Sequence, residues 1–125
     1  MPTKILLVDD SQTIREVLKV YLMGRDFEFL EADNGERALA ILKVSPVSLV
    51  IADFKMPKLD GIAFAEAVRA SDRAALRALP IVLVTGDKGE VRARALAAGV
   101  NAFLQKPLDG ELVTRTVAEL LGAAP

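Results

Sequence analysis

Five short aliphatic runs, each followed by a stretch with helical spacing, constrain this 125-residue chain more than any other feature. The runs are KILLV (4–8), FEFLEA (27–32), SLVIAD (48–53), PIVLVT (80–85) and AFLQK (102–106). Between the first two, Ile14, Val17, Leu18, Tyr21 and Leu22 recur at i, i+3, i+4, i+7 and i+8, the signature of an amphipathic helix that Ser11 can cap. Asn34 can cap a second helix carrying Ala38, Leu39 and Leu42, and a third places Gly61, Phe64, Ala65 and Val68 on one side. A fourth, in GEVRARALAAG, stops at Gly99, and a fifth opens at Asp109 and repeats Val113, Val117 and Leu120. Central strands that read as nearly continuous apolar runs are buried on both faces. Strict alternation of such strands with helices predicts an α/β fold: a doubly wound, five-stranded parallel sheet with right-handed crossovers and helices on both faces.

The length suits one domain, expected over residues 1–122, with 123–125 as a short tail or the start of a linker. A net charge of -1 supplies no electrostatic footprint for nucleic acid, and no run approaches the ~20 apolar residues of a membrane span. The N-terminus lacks the pattern of a signal peptide, so a cytoplasmic location is expected. With no cysteine and no histidine, disulfides, thiolate metal sites and the commonest general base are excluded. Carboxylates, hydroxyls and lysines must carry any chemistry.

In an open parallel sheet the functional crevice lies beyond the carboxyl ends of the strands. The first strand ends in Asp9 and Asp10, the third in Asp53, the fourth in Thr85 and the fifth in Lys106 followed by Pro107. Two adjacent carboxylates at the end of a buried segment repel each other and require a counter-charge. Three acids without histidine or cysteine form a hard oxygen site suited to Mg²⁺, for which Mn²⁺ can substitute. Beside such a cation, with the Lys106 ammonium and the Thr85 hydroxyl as donors, the Asp53 carboxylate is placed to attack phosphorus and form an aspartyl phosphate.

These residues carry a family resemblance. VDDS after the first strand, ADFKMPKLDG around Asp53, LVTG at Thr85 and LQKP at Lys106 resemble the receiver domain of two-component response regulators, the CheY-like family, over essentially the whole chain. The resemblance implies a flavodoxin-like strand order of 2-1-3-4-5. It implies Asp53 as phosphoacceptor, Asp10 as a direct Mg²⁺ ligand, Asp9 acting through a water, and the main-chain carbonyl of Lys55 as a further ligand. Thr85 and Lys106 would bind phosphoryl oxygens, Phe103 would take the place of the switch aromatic, and the bond before Pro107 would be cis. A histidine kinase or phosphotransfer protein would supply the phosphoryl group, and an output protein would read the altered surface. The domain would be a monomer or a weak, phosphorylation-dependent dimer. It would catalyse its own phosphorylation and dephosphorylation without turning over an external substrate.

Other readings fit less well. A receiver-like scaffold that is never phosphorylated would normally have lost one of these groups. A haloacid-dehalogenase-like phosphatase needs an acid two residues after its nucleophile, where Lys55 stands. Flavin binding of the flavodoxin type fails because DDSQ would repel a phosphate, and a Walker loop is absent. Lys55 and Asp87 fall at the expected rim of the pocket, either as two solvated loop charges or as a pair that screens the path of a hydrolytic water.

Overall fold

The aliphatic runs form five strands in the computed structural model, which describes residues 2–86 and 89–122. Asp87 and the 123–125 tail lie outside the described residues. The elements run β1 (Thr3–Val8), α1 (Gln12–Leu22), β2 (Phe27–Ala32), α2 (Gly35–Val44), β3 (Leu49–Asp53), α3 (Gly61–Arg69), α4 (Ala74–Arg77), β4 (Ile81–Thr85), α5 (Glu90–Ala97), β5 (Ala102–Gln105) and α6 (Gly110–Leu121). All pairings are parallel and the sheet order is β2-β1-β3-β4-β5. The expected fold is therefore present.

Alternation along each strand divides the core into two layers. Leu6, Val8, Val50, Ala52, Ile81 and Leu83 face α2, α3 and α5, whereas Ile5, Leu7, Ile51, Val82, Val84 and Leu104 face α1 and α6. Every residue of β3 and β4 is buried, so Asp53 and Thr85 end the two fully buried strands of the sheet. None of the described helices is long and apolar enough to cross a membrane.

Helix ends follow local chemistry. Ser11, Asn34 and Asp109 each accept a backbone N–H of the helix they precede, and Gly99, at φ 95°, takes the left-handed conformation just after α5. The short α4 has no counterpart in the sequence pattern. It has no side-chain cap and buries none of its residues, so it leaves no apolar period to read. Arg69 holds it instead by donating to the carbonyls of Leu76 (3.3 Å) and Arg77 (3.1 Å).

Candidate phosphoacceptor site

The carboxyl ends of β1, β3, β4 and β5 bring the acids, the hydroxyl and the ammonium together. Among the described residues the buried polar or charged ones are Asp9, Asn34, Asp53 and Thr85; three of these four lie at this single edge. Asp9, Asp10 and Asp53 each present an oxygen within 4.8 Å of the others. Asp9 and Asp53 are buried and Asp10 is exposed, so the cluster opens to solvent on one side. Such a hard, all-oxygen donor set fits a divalent cation of the Mg²⁺ type, which binds few carboxylates and keeps several waters.

Lys106 answers part of the charge. Its Nζ lies 3.0 Å from Asp53 Oδ1, and its backbone N–H donates to the Thr85 carbonyl (3.0 Å), which locks β5 beside β4 at this level. The Lys106–Pro107 peptide is cis. One ammonium among three carboxylates leaves a negative excess. Burial chiefly raises the Asp9 pKa from 3.8 to about 6, and the neighbouring Asp53 and Asp10 carboxylates push the same way. The Ser11 N–H, donating to Asp9 Oδ1 at 2.8 Å, and Lys106 act in the opposite direction.

The loop after β3 is built for close approach. Asp60 caps α3 by accepting the Ala63 N–H (2.8 Å), and Gly61 donates to the Phe54 carbonyl (2.9 Å). A Cβ on Gly61 would lie 2.6 Å from the Asp53 carbonyl oxygen and 2.5 Å from Leu83 Cδ1, so only glycine lets α3 start directly against the strand that carries Asp53. Lys58 adopts φ 71° in the same loop, an uncommon conformation for a residue with a side chain.

Asp53, Phe54, Lys55, Thr85, Gly86, Val91 and Lys106 line one continuous cleft, and Asp10 and Lys55 also face an adjoining depression with Met56, Pro57 and Asp60. Lys55 is exposed on the wall of both. Its expected rim partner, Asp87, is outside the described residues. Phe103 is half-buried, packs against the α2–α3–α5 core layer and carries the Arg92 guanidinium 5.1 Å above its ring. Arg94 lies 6.0 Å from the Phe54 ring. Neither stacking arginine is legible in the sequence, because each partner lies on a different element.

A doubly wound parallel sheet with three acids, a hydroxyl and a lysine at its carboxyl edge defines a class: α/β signalling modules of the receiver type. Comparison with known proteins agrees. The family model described as the response regulator receiver domain matches residues 5–118. The chain is 36% identical over 121 residues to the chemotaxis protein CheY of Pseudomonas aeruginosa, covering 94% of each chain. It is 35% identical over 123 residues to a CheY homolog of Campylobacter jejuni, covering 95% of this chain and 92% of that one. The solved chemotaxis response regulator CheY4 of Vibrio cholerae superposes with a TM-score of 0.87 at 29% identity, over 96% of this chain and 99% of that one. This chain belongs to the response regulator receiver domain family and is CheY-like. Receiver domains are signalling proteins and do not turn over an external substrate.

Proposed function

We propose that Asp53 accepts a phosphoryl group from the phosphohistidine of a histidine kinase or phosphotransfer protein, and that the modified domain binds an output protein. The observation that carries this reading is the convergence of Asp9, Asp10 and Asp53 within 4.8 Å, with Lys106 Nζ 3.0 Å from Asp53. An Asp53 carboxylate oxygen forms the new bond to phosphorus as the phosphorus–nitrogen bond of the donor breaks, and the electron pair leaves with the imidazole. Lys106 and Thr85 donate to the phosphoryl oxygens, in a step that depends on positioning and charge neutralisation. Asp9, Asp10, Asp53 and the main-chain carbonyl of Lys55 would hold Mg²⁺. The cation supplies the positive charge that lets an anionic phosphoryl group approach three carboxylates.

After transfer, Thr85 is drawn toward the phosphoryl group and Phe103 turns inward, remodelling the face made by α5, β5 and α6. Phenylalanine has no hydroxyl to satisfy, so its two states differ mainly in packing. The functional unit spans residues 1–122, acts as a monomer or a weak phosphorylation-dependent dimer, and works in the cytoplasm. Incubation with Mg²⁺ and a small phosphodonor, read by intact mass, tests the central step. One added phosphoryl group on the parent and none on Asp53→Asn is the expected outcome. Equal modification of the two proteins would refute the assignment.

A further inference from the structure

Side chains of consecutive residues in an extended strand point to opposite faces. Asp9 and Asp10 nevertheless present oxygens to one cluster, so the chain must leave strand geometry at the peptide that joins them. Two contacts hold it there. The Ser11 N–H donates to Asp9 Oδ1 (2.8 Å) and fixes the first carboxylate. The second contact comes from Arg15, one turn into α1, whose guanidinium donates through one terminal nitrogen to the main-chain carbonyl of Asp9. That carbonyl belongs to the very peptide between the two acids, so its direction sets where Asp10 departs.

Arg15 is itself held. Its Nε donates to Glu31 Oε1 at 2.9 Å, and its side chain is only 15% exposed. Glu31, on β2, also binds Lys19 through Oε2 (2.8 Å), and Lys19 binds Glu16 (2.9 Å). The Lys19 hydrogen bond, followed by that from Arg15, lowers the Glu31 pKa, so Glu31 is ionised at neutral pH. The guanidinium fork thus ties β2 to the Asp9–Asp10 peptide with two hydrogen bonds from one planar group, which an ammonium cannot reproduce.

We infer that Arg15, oriented by Glu31, is a positioning residue that aims the Asp9–Asp10 pair at the cation site. The inference rests on the reading of these acids as metal ligands. It makes a prediction opposite in sign to simple electrostatics. Deleting a cation near an acidic site should tighten divalent binding, whereas loss of the support should weaken it, by about tenfold where an outer partner orients a ligand.

Titration calorimetry with Mg²⁺ on the whole chain tests this, using Arg15→Gln, Arg15→Lys, Glu31→Gln and Lys19→Gln. Arg15→Gln is expected to weaken binding about tenfold, with partial recovery in Arg15→Lys. Glu31→Gln leaves Arg15 in place but loosened and should weaken binding less. It serves as the second variant should Arg15→Gln not fold. Lys19→Gln removes the same charge from the same helix and one contact to Glu31 Oε2, but leaves Arg15 on Glu31 Oε1 and on the Asp9 carbonyl, and should stay within about twofold of the parent. In the metal-free protein the Asp10 and Ser11 amide resonances should shift or broaden in Arg15→Gln and remain in place in Lys19→Gln. A parent that does not bind Mg²⁺ would overturn the metal reading itself. A parent that binds, with Arg15→Gln and Glu31→Gln binding as well or better, would overturn the positioning role alone.

Discussion

The two ends of the sheet surround charge in opposite ways. At the amino edge of β4 and β5, the Arg69 guanidinium donates to the carbonyls of Gly99 (2.8 and 3.1 Å), Leu76 and Arg77 and to Asn101 Oδ1 (2.9 Å). Asn101 Oδ1 in turn accepts the Ile81 N–H at 2.8 Å. Burial lowers the Arg69 pKa, and neutral acceptors surround the group without a carboxylate within ion-pair distance among the described residues. At the carboxyl edge, three carboxylates face one ammonium. The described residues leave no buried side-chain nitrogen or oxygen without a hydrogen-bond partner, so hydrogen-bond satisfaction does not separate the two ends. Charge does. The amino edge is a clasp complete in itself, whereas the carboxyl edge carries three carboxylates against one ammonium.

Substitution at each end should break this contrast in opposite directions. Arg69→Met removes a donor set shared among four residues and should cost about 2–4 kcal/mol in urea unfolding, since hydrogen bonds to charged groups are worth about 1.5–3 kcal/mol each before the gain in apolar packing. It should leave phosphoryl acceptance at Asp53 intact. Asp53→Asn should show the reverse: a folded domain of near-parent stability that gains no phosphoryl group. An Arg69→Met protein that unfolds like the parent would remove the clasp from the account.

Gly61→Ala sharpens the comparison from the backbone side. The added Cβ must displace the start of α3 from the Asp53 carbonyl or push Leu83 aside. A loss of about 1–3 kcal/mol is expected, as for other overpacked core sites, together with slower phosphorylation because the loop after Asp53 shifts. Unchanged stability and unchanged phosphorylation would show that the close approach relaxes freely.

Lys55→Ala carries the smallest expected effect. If Lys55 screens the path of a hydrolytic water at the cleft wall, its removal should shorten the lifetime of the aspartyl phosphate by about two- to tenfold, within ~1.4 kcal/mol on the barrier. Single-turnover decay in excess Mg²⁺ measures it, and a decay rate matching the parent would reduce Lys55 to a solvated charge.

Much of this was legible in the chain. β1, β3 and β4 stand out as aliphatic runs because most or all of their residues are buried, while the flanking β2 and β5 are only partly so, and strand-terminal Asp9, Asp53, Thr85 and Lys106 follow once the sheet is parallel. The capping residues Ser11, Asn34 and Asp109 act within three residues of themselves, and local signals of that kind survive in sequence. What escaped is long-range or aperiodic. Arg69 meets Gly99 across 30 positions, Arg15 reaches Glu31 across 16, and both look like ordinary exposed helix charges in a linear reading. Helix α4 has too few residues for a period, and the stacking of Arg92 on Phe103 depends on how α5 sits against β5.

The central claim, that the carboxyl edge holds a carboxylate cluster only partly compensated by Lys106 and able to take up a cation, is tested most directly by urea unfolding from pH 4 to pH 8 with and without Mg²⁺. The folded Asp9 pKa of about 6 lies above the value of 3.8 expected in the unfolded chain. Between those values the folded domain therefore binds the proton more tightly, and the stability that proton confers is fully present below pH ~4 and is lost as pH rises through about 6. The metal-free domain should lose up to about 3 kcal/mol over that window. Mg²⁺ should restore stability at pH 7 to 8, by RT ln(1 + [Mg²⁺]/Kd), and have little effect near pH 4. A stability that is flat across the window and indifferent to Mg²⁺ at pH 7 would contradict the claim.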